Sequence, residues 1–165
     1  MRLKIIFTFC IVSALAAAAS AQTRMAGTEY CGKASKEYSV QIGDRPNHSF
    51  SIIQGSCTWT SPVEIAGVHS KDGVYSTLGE TRGNRIHYHL YYIDTMVNGD
   101  KAFYRGEGTM TMKDGVPQTG HERWTLVGGT GKLKGLKGKG TNTLKSAKAD
   151  GSSTWYTEGE YELPM

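Results

Sequence analysis

Helical periodicity is what this sequence lacks most. After residue 22 no window long enough for a helix carries apolar residues at helical spacing between caps. That excludes helical bundles and folds that alternate strands with helices. A large charge of either sign is missing too. The chain nets +4, and +2 once Arg2 and Lys4 are set aside with the leader described below. So balanced a charge gives no argument for a nucleic-acid or membrane-surface partner. No apolar run reaches the roughly 20 residues of a membrane span. Nucleotide loops are absent as well. In Gly128-Gly129-Thr130-Gly131-Lys132-Leu133, leucine stands where a phosphate loop needs Ser or Thr. The dinucleotide spacing fails because position 134 is lysine. No linker, second domain or internal repeat is visible.

The first 21 residues have the form of an export signal. Arg2 and Lys4 begin it, Ile5 to Leu15 are its apolar stretch, and Ala19-Ser20-Ala21 is the small-residue cleavage site. Residues 22–165 then form one domain of a size that carries a real core. The expected location is secreted or periplasmic. Two cysteines remain there, Cys31 and Cys57, and in an oxidising compartment they are expected to pair. Two separate buried thiols are the alternative. Asn47-His48-Ser49 matches a glycosylation sequon.

Short runs rich in Tyr, Thr, Val, Ile and Trp recur along the domain. Turn pairs punctuate them at Asp72-Gly73, Gly83-Asn84, Asn98-Gly99, Asp114-Gly115, Gly128-Gly129 and Asp150-Gly151. The spacing predicts an antiparallel meander of about eight strands. Closing on itself removes its edges, so the expected fold is an all-β up-and-down barrel. Gln22 to Ala34 read as a loose arm pinned through Cys31. The glycines at 128, 129, 131, 135, 138 and 140 mark the corner between two late strands.

This corner also carries a resemblance. Gly128-Gly129-Thr130-Gly131, an apolar residue two positions on, and the glycine-bearing strand that follows resemble the late hairpin of allene oxide cyclase and dirigent barrels. Small secreted bacterial proteins of that barrel type look closer still. The likeness covers roughly residues 124–142 and extends loosely to Asn98–Lys101 and Glu158–Leu163. It implies the barrel. The plant enzymes' catalytic residues have no residue-by-residue match here.

Alternation sorts the faces. Lysines do not enter cores unpaired, so Leu136, Gly138, Gly140, Asn142 and Leu144 face inward, opposite Lys137, Lys139 and Lys145. The same logic puts Trp155, Gly159, Tyr161 and Leu163 inside, with Trp124, Leu126 and Glu122. A two-residue turn at Asn98-Gly99 pairs His87 with Met110, His89 with Gly108, Tyr91 with Gly106 and Ile93 with Tyr104. The face bearing those histidines and glycines is read as interior; a three-residue turn reverses it. Glycines at 106, 108, 138 and 140 then leave a lumen lined by His87, His89, Tyr91, Tyr104, Gly106, Gly108, Trp124 and Asn142.

His87 and His89 share a strand face and resemble half a metal site, with His121 or Glu122 as a third ligand. The parity that puts Glu122 inside turns His121 out, and the cupin spacing is absent. No metal and no cofactor are therefore expected. Lys132, Lys134, Lys137 and Lys139 read as a solvated outer face without the aromatic alternation of a nucleic-acid platform. Three functions compete. The first is a barrel binding a small, mostly apolar ligand in its lumen. The second is a cyclase or isomerase using Glu122, His87 or His89 for proton transfer. The third is a structural envelope protein without a ligand. No subunit count follows from the sequence.

Overall fold

The computed structural model describes residues 22–164. The export-signal reading of residues 1–21 falls outside them. Among the described residues there are ten strands and one short 3-10 turn. No helix is long and apolar enough to cross a membrane. The strands are β1 Thr23–Cys31, β2 Lys36–Gln41, β3 His48–Ser61, β4 Glu64–Ile65, β5 Val68–Arg82, β6 Arg85–Met96, β7 Lys101–Lys113, β8 Val116–Gly129, β9 Lys137–Ala147 and β10 Ser153–Glu162. From β5 to β10 each strand pairs antiparallel with the next. β10 then pairs with β1, β1 with β3, and β3 with β5, so eight strands close into a barrel. β2 and β4 are extra strands on the outer partners β3 and β5.

Residues 23–31 are thus a barrel strand between β10 and β3, not a loose arm. The pairing follows from their alternation: Met25, Gly27, Glu29 and Cys31 face in, while Arg24, Ala26 and Tyr30 face out. Asp72-Gly73 is not a turn either. It runs through β5 and pairs across to β3 and β6, because Gly73 lies beneath the Tyr92 ring. The other turn pairs lie at or next to chain reversals, and the Gly128 corner joins β8 to β9 through the 3-10 turn Gly131–Leu133.

One end of the barrel is sealed. Val63, Ile65, Ala102, Leu133 and Leu136 are fully buried there, beside Met96. At the other end, where the turns at 83–84 and 114–115 lie, the inward-facing Ile86, Met110, Leu144 and Trp155 are only half-buried. Just outside that rim the His48 imidazole bridges Asp44 and Glu80, clasping the β2–β3 loop to β5.

Cys31 and Cys57 face each other across β1 and β3 and are bonded, closing a sequence separation of 26. The bond locks the seam where the N-terminal strand joins the barrel. In the chain-entropy account a loop of this length is worth about 3 kcal/mol. Reduction, or the double change Cys31→Ser with Cys57→Ser, is expected to lower unfolding stability by about that amount. Urea titration followed by circular dichroism measures it.

Candidate functional site

The β6–β7 hairpin decides what the lumen contains. Met96 donates its N–H to the Asp100 carbonyl and Gly99 to the Met96 carbonyl, 2.8 and 2.9 Å. The loop is therefore Val97-Asn98-Gly99, three residues, with Gly99 at φ 87°. A three-residue loop with a left-handed glycine displaces the register by one from a two-residue turn. Tyr88 pairs with Gly108, Leu90 with Gly106 and Tyr92 with Tyr104. The expected interior face of β6 is thereby reversed. His87, His89 and Tyr91 point outward and are exposed, with Arg105 stacked on the Tyr91 ring. Tyr88, Leu90, Tyr92 and Asp94 are inside.

On the neighbouring strands the sequence parity agrees with the structure. Tyr104, Gly106, Gly108, Glu122, Trp124 and Asn142 all sit on the lumen side. The glycines do not leave empty space, however. A side chain at Gly108 would collide with the Tyr88 ring, and one at Gly140 with Trp124. The rings fill the volume that the glycines yield. Tyr92, Tyr104 and Trp124 stack edge to face across the lumen at 5.8 and 5.4 Å, closing its lower half.

Above that aromatic layer lies a polar row. Tyr88 donates its hydroxyl to Glu122 Oε2 at 3.1 Å, Asn142 donates Nδ2 to Glu122 Oε1 at 2.9 Å, and Thr157 donates to Asn142 Oδ1 at 2.6 Å. Burial pushes the Glu122 carboxyl up to about 8, against the smaller lowering by its two hydrogen bonds. Burial also pushes up the Tyr88 hydroxyl. Around this row stand Ile86, Met110, Leu144 and Trp155. The result is a buried carboxyl in a largely apolar surround, with a pKa raised to where it can give or take a proton near neutral pH.

Two more acids are buried below. Tyr92 donates to Glu29 Oε2 at 2.6 Å, and Trp59 Nε1 and Ser70 donate to the two oxygens of Asp94. Burial raises both carboxyls to about 7. The Tyr104 hydroxyl and Trp124 Nε1 are buried without a hydrogen-bond partner. Glu29 lies close to the sulfurs of Cys31 and Cys57, but each sulfur is spent in the disulfide and offers no thiolate to a metal. Glu29, Tyr88 and Asp94 were not among the residues singled out in the sequence. Inward parity on β1 was the one signal that could have found Glu29.

The histidines line a different feature. An open trough of about 790 Å³ crosses the outer face of β5 to β9. Its floor is the main chain of one registered row, Gly79, Tyr88, Gly108, Glu122 and Asn142. One wall carries Glu80, His87, Thr109, His121 and Thr143, the other Leu78, His89, Glu107, Arg123 and Thr141. His87, His89 and His121 thus stand on the opposite side of the sheet from the Glu122 carboxyl. The two sides cannot share one metal ion.

No protein-family model matches the chain, and no curated protein matches it in sequence. Solved structures do. A conserved protein of unknown function from Rhodopseudomonas palustris matches with a TM-score of 0.53 at 10% identity, covering 85% of this chain and 98% of its own. A pterocarpan synthase dirigent protein matches at 0.51 with 13% identity, over 87% of each chain. A second matches at 0.52 with 12% identity, over 88% of this chain and 97% of its own. The chain shares the dirigent barrel fold. The likeness read from the Gly128 corner therefore stands for the architecture, and identities this low carry the fold alone.

The buried acids give stability a defined pH dependence. Each has a folded pKa above its unfolded value, so the folded state holds protons that the unfolded state releases. Stability from these groups is complete at low pH, below the unfolded carboxyl range. It is lost as pH rises through about 7 and then about 8. Unfolding free energy is expected to fall between about pH 5 and pH 9. Glu122→Gln should flatten the upper part of that slope, read by urea titration across the range.

Proposed function

We propose that this is an exported barrel that takes a small, mostly apolar ligand into the open half of its lumen. One observation carries the reading: the Glu122–Tyr88–Asn142 row sits within an apolar wall whose residues Ile86, Met110, Leu144 and Trp155 are only half-buried. Binding sites of this kind combine an apolar lining with a few oriented polar groups. Here the neutral Glu122 carboxyl offers a proton to a ligand carbonyl or hydroxyl oxygen, and Asn142 fixes the orientation of the carboxyl. Tyr104 and Trp124 form the floor. Export fits the Cys31–Cys57 bond, which persists in oxidising compartments.

A second reading rests on the position of the Glu122 pKa near 8. A carboxyl poised close to neutrality is suited to proton transfer, so the same chamber could hold a reactive intermediate in a folded pose and cyclise or isomerise it. In that case Glu122 is the proton carrier. His87 and His89, which face solvent, take no part.

Nile red, a neutral apolar dye, tests the binding reading. Its emission is expected to rise and shift to the blue with the purified protein. Met110→Trp, which fills the chamber, should abolish that change, while His87→Ala with His89→Ala should leave it intact. Uptake that survives Met110→Trp in a folded variant, or that depends on the histidines, overturns the lumen as the site.

A further inference from the structure

β2 is an edge strand of the described sheet. It pairs with β3 on one side, and no described strand lies on the other. Its six residues are all exposed. Tyr38 and Val40, at 68% and 66%, are the most exposed large hydrophobics among the described residues. The register continues them inward along the outer face, Tyr38 to Ile52 to Leu78 and Val40 to Phe50, all exposed as well. An apolar face of this kind at an open edge is what proteins usually guard with proline, a bulge or a central charge. β2 has none of these. Its two charges, Lys36 and Glu37, sit together at one end.

The hydrogen-bond pattern says which residues the open edge presents. Ile42 donates its N–H to the His48 carbonyl at 2.9 Å, in register with the β2–β3 ladder. Along an antiparallel strand, alternate residues direct their main-chain groups to opposite sides. The even positions of β2 therefore bond β3. Glu37, Ser39 and Gln41 direct their N–H and C=O groups outward.

We propose that a second copy of this chain pairs there, β2 against β2 about a two-fold axis at Ser39. That register sets Ser39 opposite Ser39 and Glu37 opposite Gln41, matching all three outward residues and forming about six main-chain hydrogen bonds. Tyr38 of one copy falls opposite Val40 of the other on the same face, in the close pairing class where side chains touch. No like charges are opposed. A two-fold at Tyr38 instead leaves Gln41 unpaired and sets Lys36 against Val40. The strand is self-complementary in one register, and that register covers the two side chains most exposed to water. A heterologous peptide has no such symmetry to satisfy.

Light scattering during size-exclusion chromatography of the purified protein tests this. The expected result is a dimer that Ser39→Pro, which removes an outward N–H and leaves the β3 ladder intact, converts to monomer with an unchanged circular dichroism spectrum. A monomer for the unchanged protein, or a folded Ser39→Pro variant that remains dimeric, overturns the proposal. Cross-linking gives an answer if Ser39→Pro fails to fold. Ser39→Cys should oxidise to a covalent dimer, because opposed residues of a bonded pair lie about 5.5 Å apart. Glu37→Cys alone should not cross-link, but it should when mixed with Gln41→Cys. Failure of Ser39→Cys to cross-link, or equal cross-linking by Glu37→Cys alone, rejects the register.

Discussion

Aromatic rings laid over glycines govern the interior of this barrel. An eight-stranded barrel has just enough room for its own side chains. Here the large rings gain their space from the strand beside them. Tyr88 lies over its cross-strand partner Gly108, Trp124 over Gly140, and Tyr75 over Gly55. Each arrangement demands a glycine opposite the ring and nowhere else, so a slip of one residue would bring a ring against a side chain. The pairs thereby fix register at three of the barrel's eight seams, β3–β5, β6–β7 and β8–β9. They also carry polar tips to definite places, since the Tyr88 ring, lying flat across Gly108, brings its hydroxyl to Glu122.

This packing explains which part of the architecture was legible in the sequence. On β8, β9 and β10, charged residues alternate with apolar ones, and Lys139, Arg123 and Glu158 cannot be buried without partners. Parity there reads directly as face. On β6 both faces look alike to a reader, because His87, His89 and Tyr91 are as amphipathic as Tyr88, Leu90 and Tyr92. The choice then depends on one residue of loop length at Val97-Asn98-Gly99. Local sequence does not fix that length, since Asn-Gly serves a two-residue turn and a three-residue loop equally. The barrel partners decide it instead: the even positions of β6 bring the Tyr88 hydroxyl to Glu122 and the Asp94 carboxyl to Trp59 and Ser70. The interior glycines were visible, but their meaning depends on the register and so was read as empty room.

The buried acids were hidden for a related reason. Glu29 meets Tyr92 across a sequence separation of 63, and Asp94 meets Trp59 across 35. Asp94 meets Trp59 only when β3 docks on β5 beside β6, and Glu29 meets its partner only when β1 closes the ring. Until then Thr23–Cys31 looks like any polar N-terminal segment. The disulfide was easier to foresee, because two cysteines in an oxidising compartment admit one intramolecular pairing.

The distribution of polarity separates structure from function within the lumen. Asp94 has hydrogen-bond donors on both oxygens and lies beside Ala102 near the sealed end, while Glu29 accepts from Tyr92 at the level of the aromatic layer. Those acids are enclosed and accept hydrogen bonds from the protein's own donors, as Glu122 does from Tyr88 and Asn142. Glu122 is also enclosed, but it borders the open half, where the wall is apolar and within reach of solvent. Burying a carboxyl there lowers stability as pH rises, and an apolar residue of similar size would avoid that loss. A residue that costs stability beside half-buried apolar side chains is where selection for activity and selection for stability diverge. What sets Glu122 apart from Glu29 and Asp94 is its place one inward row from the half-buried Ile86 and Met110.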